Sequence, residues 1–376
     1  VAAARILTVN AGSSSLKLRL LGPDDELLLA DEAAPGDDRD LRQRLERMIE
    51  SGPAPAAIVH RVVHGGAEFE RATVVDAAVT AELDRLAELA PLHNPQAVRA
   101  IRAVGEIRPD LPNIACFDTA FHADLPAAAR TYALPAAWAE EEVPLRRYGF
   151  HGLSHAYAAR RAAELLGRSP AGLRLVTAHL GAGASLAAVV GGRSVDTTMG
   201  FTPLGGLVMA TRAGSVDPGL LLWVQRRHGL DPAAMERALD REAGLLGLAG
   251  TGDMREVLAA AERGEARARA ALDVYVHRLV GSIAAMAAAM GGLDGIVFTG
   301  GVGEKAATVR GRACAGAAFL GVDLDRDLNE RGDLDSVLSP PGAVASVSLV
   351  AAREDLEMAR QARALLDSTP GSTAPR

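Results

Sequence analysis

The chain has 376 residues, of which 49% are hydrophobic and 23% charged, and its formal net charge is −7. At ~100–200 residues per domain this length predicts two cores, and the composition excludes a disordered or fibrous chain. With 3% aromatic residues and no basic excess, neither stacking surfaces for nucleic acid nor attraction to phosphate backbones and anionic lipids is expected.

The first residues, Val1 to Ile6, lack the charged region and long apolar stretch of a signal peptide, which predicts a cytoplasmic protein. Residues 5–9 read as a buried strand, Asn10-Ala11-Gly12-Ser13-Ser14-Ser15 as a polar turn, and 16–20 as an alternating second strand, together a β-hairpin. Small residues at its tip let the backbone approach an anion, the hydroxyls of Ser13 and Ser15 can donate to it, and Lys17 adds a point charge. The spacing is not that of a Walker loop, whose lysine directly follows the last glycine, and a plain Ser-rich turn is the alternative. Of the 40 Lys and Arg residues only Lys17 and Lys305 are lysine, both at Gly-rich loops, where phosphate sites use a compact charge. Three- and four-residue apolar spacing predicts helices over 40–50, 81–89 and 95–104.

In His60-Arg61-Val62-Val63-His64-Gly65-Gly66 an arginine lies within a strand that ends in paired glycines. It is suited either to fork onto a carboxylate or to pair with another element. Phe117-Asp118-Thr119-Ala120-Phe121-His122 holds a carboxylate between apolar residues, which is costly unless it binds something or caps the next turn. Cys116 and Cys314 form no CxxC pair and read as reduced core thiols.

Further on, Tyr148-Gly149-Phe150-His151-Gly152-Leu153-Ser154-His155 contains two histidines at i, i+4, a spacing that can bind a metal on one helical face. No glutamate stands between them as in a zinc peptidase. The glycines around His151 point to close approach of a ligand, whereas His155 begins a helix over 155–166 and reads as structural. A strand over 173–178, the turn His179-Leu180-Gly181-Ala182-Gly183 and a strand over 184–190 repeat the first hairpin. Met209-Ala210-Thr211-Arg212-Ala213-Gly214-Ser215-Val216-Asp217-Pro218 adds an arginine in a Gly/Pro-punctuated loop. The uncharged run 279–293 is short of the ~20 residues that span a bilayer, and reads as a buried helix. Residues 295–299 form a strand ending in Gly300-Gly301-Val302-Gly303-Glu304-Lys305, followed by a helix over 306–317 that turns its positive end to the loop. The expected domains are 1–148, completed by a C-terminal helix over 356–367, and 149–355, with 368–376 a solvated tail.

A strand, phosphate loop, strand unit in each half resembles the actin, Hsp70 and sugar-kinase superfamily. That resemblance implies an α/β fold of two ribonuclease-H-like domains flanking a central cleft. Taken together, the segments 10–17, 60–66, 91–95, 117–122, 147–155, 179–185, 196–218 and 298–304 resemble the acetate kinase family in order and spacing. The match runs over about residues 5–360, and the region 22–52 is shorter than the family pattern and matches no motif.

The resemblance implies transfer of phosphate between ATP, with Mg²⁺ or Mn²⁺, and a small carboxylate, in a homodimer that binds neither nucleic acid nor membrane. Arg61 would bind the acid, and Asp118, His151 and Arg212 would organise the transferring phosphoryl group, with His179 contacting the same oxygens. Val63, Leu92, Phe150 and Pro203 match the pocket for the acid's methyl group. Lys17, Ser13, Ser15, Thr177, Ala178, His179, Leu180 and Gly181, Asp253, Met254 and Arg255, and Gly300, Gly301, Val302, Gly303 and Glu304 would line the nucleotide, and Asn10 and Glu354 would hold the metal. In-line transfer to a carboxylate already ionised at pH 7 needs little beyond positioning and charge stabilisation. Departures from the family pattern fall around nucleotide and metal: Ala182, Ser215, Lys305, Arg353 and Asp355 replace asparagine, an acidic residue, asparagine, asparagine and glutamate respectively. A kinase for propionate or another short acid, pyrophosphate as donor, a nucleotide-driven binding protein, and a metal-dependent hydrolase using His151 and His155 are the competing readings.

Overall fold

In the computed structural model, which describes residues 4–12, 15–91, 93–140 and 143–368, the buried and the alternating segment at the start pair as a hairpin. Ile6–Ala11 (β1) runs antiparallel to Leu16–Leu21 (β2), in register from Ile6 opposite Leu21 to Ala11 opposite Leu16. Leu27–Ala33 (β3) adds an edge strand to β2. Asp37 caps Asp38–Glu50 (α1) by accepting from Asp40 N, and the helix buries Leu41, Leu45, Met48 and Ile49 at helical spacing. Ala57–Val62 (β4) lies parallel to β1. Thr73–Val74 (β5), Ala77–Arg85 (α2), Asn94–Ile107 (α3) and Asn113–Phe117 (β6) follow. α2 starts four residues before the expected 81, where the Asp76 side chain accepts from Val79 N. The sheet order is β3-β2-β1-β4-β6-β5, with β1, β4 and β6 parallel.

Side chains alternate across a strand, so each strand of this sheet feeds two cores. Leu7, Val9 and Ile58 pack with Leu41 and Leu45 of α1 and Ala100 and Val104 of α3. Ile6, Val59, Ile114 and Cys116 take the other face, against Met358, Ala359 and Ala362 of the C-terminal helix Glu354–Ser368. This first unit comprises the described residues of Val1–Ala123, Phe150–Leu153 and Arg353–Arg376.

The second unit comprises Asp124–Gly149 and Ser154–Ala352. One change of unit, between Gly149 and Phe150, lies beside the crossing expected near Tyr148, and the chain also changes unit after Ala123, Leu153 and Ala352. Backbone bonds from Arg147 N to Arg130 O and from Tyr148 N to Gly200 O hold the 124–149 segment within this unit. Gly152–Leu165 (α4) begins three residues before His155. Arg174–Leu180 (β7), Ala184–Val190 (β8), Arg193–Thr197 (β9), Gly295–Thr299 (β10), Ser336–Val337 (β11) and Ser346–Leu349 (β12) form its sheet. The order β9-β8-β7-β10-β12-β11 reproduces the first sheet strand for strand, with β7, β10 and β12 parallel. The duplication expected from two hairpins thus extends to whole sheets.

Pro218–His228 (α5) and Pro232–Arg241 (α6) each open with proline behind a capping aspartate, Asp217 and Asp231. Met254–Glu262 (α7), Ala266–Ala289 (α8), Gly300–Lys305 (α9) and Ala307–Gly316 (α10) complete the elements used below. The glycine turn expected at 300–305 is itself helical, as α9, and Ala306 separates it from α10, which takes the place of the helix expected over 306–317. α8 is long and apolar enough to cross a membrane. It packs on β7, β8, β9, α7 and α10 and buries Leu272, Tyr275, Leu279 and Ile283 there, as a core helix does. The expected tail lies, from residue 369, outside the described residues.

Candidate active site

In the first unit, strand alternation and register align three polar side chains. β1 and β4 pair with Val9 opposite His60, and β4 and β6 with Val62 opposite Phe117. Asn10, Arg61 and Asp118 therefore follow one another across the carboxyl ends of three parallel strands, the edge at which open α/β sheets bind ligands. Arg61 Nε donates to Asp118 Oδ1 at 3.1 Å and Oδ2 at 3.2 Å, and Arg61 Nη2 to Oδ2 at 2.6 Å. Arg61 Nη1 reaches Asn10 Oδ1 at 3.4 Å. Asp118 is 1% exposed and Arg61 18%. Burial pulls the Arg61 pKa down, and the Asp118 carboxylate, helped by Glu354, more than offsets it and holds the guanidinium charged.

Here the carboxylate that Arg61 meets is one of its own chain. The Nε and Nη2 edge is taken by Asp118, which leaves Nη1. The pairing was weighed from the sequence as the alternative for Arg61, and it also explains how Asp118 bears its burial. Glu354, at the first turn of the C-terminal helix, is near enough to act on the Arg61 charge. Asn10, Arg61, Asp118 and Glu354 are thus brought together.

Beside this row, Gly152 N donates to Asp118 O at 2.9 Å, and a Cβ on Gly152 would lie 2.1 Å from that oxygen. Only glycine lets the chain pass there. The preceding His151 carries φ +57°, a left-handed conformation that side chains rarely adopt. Phe150 is buried, with its ring edge against His64, and Val63 is half-buried. Leu92 and Ser13 lie outside the described residues. Lys17 is held by Glu32 on β3 at 3.4 Å, the pair being largely solvent-exposed. Ser15 O accepts from Gly12 N and closes the hairpin tip.

Asp355, the neighbour of Glu354, accepts from Arg353 Nε and Nη2 and from Arg19 Nη1. Burial would raise its pKa, and the two guanidinium groups outweigh burial and hold it below the ordinary carboxylate value. The departures Arg353 and Asp355 are therefore one coupled pair.

In the second unit, His179, expected in a turn, is the penultimate residue of β7, and its Nδ1 lies 2.8 Å from Ser154 Oγ. His155 bridges Thr177 Oγ1 and Ser185 Oγ through its two ring nitrogens, both at 2.8 Å. Those bonds occupy the atoms that a metal would need, against the hydrolase alternative. Thr177, Ala178 and Leu180 are buried in β7, beside β10, with Thr299 opposite His179. Gly300 takes φ +78°, and a Cβ there would lie 2.9 Å from Leu180 O.

Gly300 to Glu304, expected as a turn, lie in the short helix α9, which is braced by Arg310, a residue that sequence reading missed. Its buried guanidinium donates through Nη1 to Gly303 O and Glu304 O, both at 2.8 Å, and through Nε and Nη2 to Asn329. Glu304 Oε1 in turn accepts from Ala352 N at 2.8 Å. Asp253 caps α7 and pairs with the exposed Arg255, while Met254 is buried. Pro203 is half-buried. Arg212 Nε donates to Asp240 Oδ1 at 2.7 Å. Asp240 and Ser154 are further site neighbours that no sequence signal marked. Of the departures here, Ser215 Oγ accepts from Gly206 N, and nothing in the structure explains Ala182.

Comparison with known proteins accords with this geometry. The pattern described as the Acetokinase family matches residues 40–360. The acetate kinase of Clavibacter michiganensis subsp. michiganensis is 44% identical over 390 residues, covering 96% of this chain and 98% of that protein. Among solved structures, Porphyromonas gingivalis acetate kinase superposes with a TM-score of 0.88 at 34% identity, over 97% of this chain and 100% of that one. A propionate kinase from Francisella tularensis gives 0.87 at 33%, over 95% and 98%. The duplicated sheet is therefore the actin, Hsp70 and sugar-kinase type of fold, and the chain belongs to the acetokinase family, phosphotransferases with a carboxyl group as acceptor.

Proposed function

We propose that this protein catalyses reversible, direct in-line transfer of the γ-phosphate of ATP to the carboxylate of acetate, giving acetyl phosphate and ADP. The observation that carries the reading is the row Asn10, Arg61, Asp118 at the carboxyl ends of β1, β4 and β6, beside Glu354. The acceptor is ionised at neutral pH, so no general base is required. Arg61, pinned by Asp118, keeps Nη1 for the acid. Asp118, His151 and Arg212 organise the phosphoryl group, and His179 contacts the same oxygens. Val63, Leu92, Phe150 and Pro203 accommodate the methyl group.

Lys17, Ser13 and Ser15, residues 177–181, 253–255 and 300–304 hold the nucleotide. Asn10 and Glu354 fit Mg²⁺ or Mn²⁺, as oxygen donors only. Mg²⁺ takes few protein oxygens, keeps water and shares substrate phosphates. When bound, it neutralises charge on the phosphate oxygens.

The reading extends to a cytoplasmic homodimer. Leu220, Leu222 and Trp223 on α5 are each more than half exposed, an apolar surface of the kind a second copy would cover. A propionate kinase is the second reading, since the solved propionate kinase is as similar as the solved acetate kinase and one methylene is worth only ~1–3 kcal/mol in an apolar pocket.

Steady-state assays with acetate, propionate and butyrate, each with ATP and with pyrophosphate, test the proposal. Arg212→Ala is expected to lower kcat by ~10³-fold or more with little change in KM for the acid, and Arg61→Ala to raise that KM. Near-normal turnover by Arg212→Ala rejects its role.

A further inference from the structure

The loop that carries Arg212 is fastened to the last turn of α6. Thr211 Oγ1 donates to Asp240 O at 2.7 Å and Ala213 N to Leu239 O at 3.2 Å, so the loop satisfies carbonyls that a helix end leaves without intrahelical partners. Ala243 N returns a bond to Thr211 O at 3.0 Å. Between these anchors, Arg212 Nε donates to Asp240 Oδ1 at 2.7 Å, with side chains 17% and 15% exposed. Neither Nη1 nor Nη2 of Arg212 has a hydrogen bond or ion pair among the described residues.

A guanidinium is a rigid planar fork, so holding its Nε–H fixes the plane and aims the two Nη groups together. We propose that Asp240 is the positioning residue for Arg212: it grips the Nε side and presents the Nη1 and Nη2 pair to the phosphoryl oxygens. The inference rests on the reading of Arg212 as a cation of the transfer step. Asp240 does not touch the reactants. Its charge works against the task, because a carboxylate beside Arg212 diminishes the field that the phosphoryl group meets. Its value lies in accepting the Nε–H, and an uncharged acceptor of the same shape should serve. The other cation nearby, Arg241, is 60% exposed with Nε 3.8 Å from Asp240 Oδ2, a weak competitor for that carboxylate.

The test uses the full chain at saturating acid and nucleotide, with Asp240→Ala, Asp240→Asn, Asp240→Glu, Arg212→Ala and the double variant Arg212→Ala/Asp240→Ala. Misplacement of a catalytic group by about 1 Å can cost about 100-fold, so Asp240→Ala is expected to lose about 10- to 100-fold in kcat with both KM values little changed. Asp240→Asn keeps the acceptor and should recover most of that loss. Asp240→Glu keeps the charge but displaces the acceptor by one methylene, and should be slow; it replaces Asp240→Ala should that variant fail to fold. In the double variant the Asp240 change should cost nothing beyond Arg212→Ala alone.

Wild-type kcat in Asp240→Ala beside a slow Arg212→Ala overturns the positioning role alone. Equal losses in Asp240→Ala and Asp240→Asn that persist in the Arg212→Ala background also overturn it, by assigning Asp240 to the fold. Near-normal turnover in Arg212→Ala overturns the reading of Arg212 and this inference with it.

Discussion

Replacing Asp118 by alanine strips the Arg61 guanidinium of the carboxylate that holds it by three contacts between 2.6 and 3.2 Å. Breaking a buried pair from one side costs ~3–5 kcal/mol, because the other charge is left uncompensated. Arg61 retains 18% exposure and a 3.4 Å contact with Asn10, so the expected loss is at the lower end, about 3 kcal/mol. At about 2–4 °C per kcal/mol for a large domain, Tm should fall by about 6–12 °C. Removing both charges together is often neutral, so Arg61→Leu/Asp118→Leu should recover to within about 1 kcal/mol of the wild type. It should still make no acyl phosphate. Thermal and urea unfolding followed by circular dichroism, beside a turnover assay, read the wild type, Arg61→Leu, Asp118→Leu and the double variant as the four corners of this cycle, with Asp118→Ala alongside. A wild-type Tm for Asp118→Ala, or a double variant as unstable as the sum of the singles, refutes the coupling on which the first half-site is built.

Other expected outcomes come from groups outside that pair. His60 is fully buried in β4, and burial lowers its pKa from 6.5 to about 3. Its neutral form favours the fold above pH 6.5, and that stability is lost as pH falls from 6.5 towards 3. Between pH 7 and 5 the loss should be about 2 kcal/mol, and His60→Leu should flatten the urea-midpoint profile in this window; an unchanged profile contradicts the buried neutral imidazole. At His151, φ +57° predicts that His151→Gly is more stable than His151→Ala by about 1 kcal/mol, while both lose turnover. Equal stabilities would show that the residue is not held left-handed. Trp223→Glu on α5 should shift the chain to a monomer by sedimentation velocity, and a retained dimer would exclude that surface.

The hairpins were legible because two short apolar runs on either side of a small-residue turn have few other solutions, as β1 with β2 and β7 with β8 show, although only β2 alternates clearly between buried and part-exposed residues. The cores of α1 and α3 were legible for an equally local reason. Arg61 and Asp118 stood out as polar residues in apolar runs, yet their partnership depends on the β4–β6 register, which joins residues 57 positions apart in the chain. The 124–149 segment has no sustained period, and its allegiance is decided by backbone bonds to residues such as Gly200. Asp240 lies on a polar helix, where an aspartate reads as a solvated charge until the Arg212 loop is laid against it. Arg310 was hidden differently: its partners are mostly carbonyl oxygens, which leave no trace in side-chain chemistry.

The account turns on direct passage of one phosphoryl group from ATP to a carboxylate oxygen, with the protein's arginines around it and no covalent stop on the chain. The stereochemical course at phosphorus, followed with ATP made chiral at the γ-position by oxygen isotopes and acetate as acceptor, measures this most directly. Inversion in the acetyl phosphate is the predicted result. Retention, or label that is released as inorganic phosphate whether or not acetate is present, would contradict it.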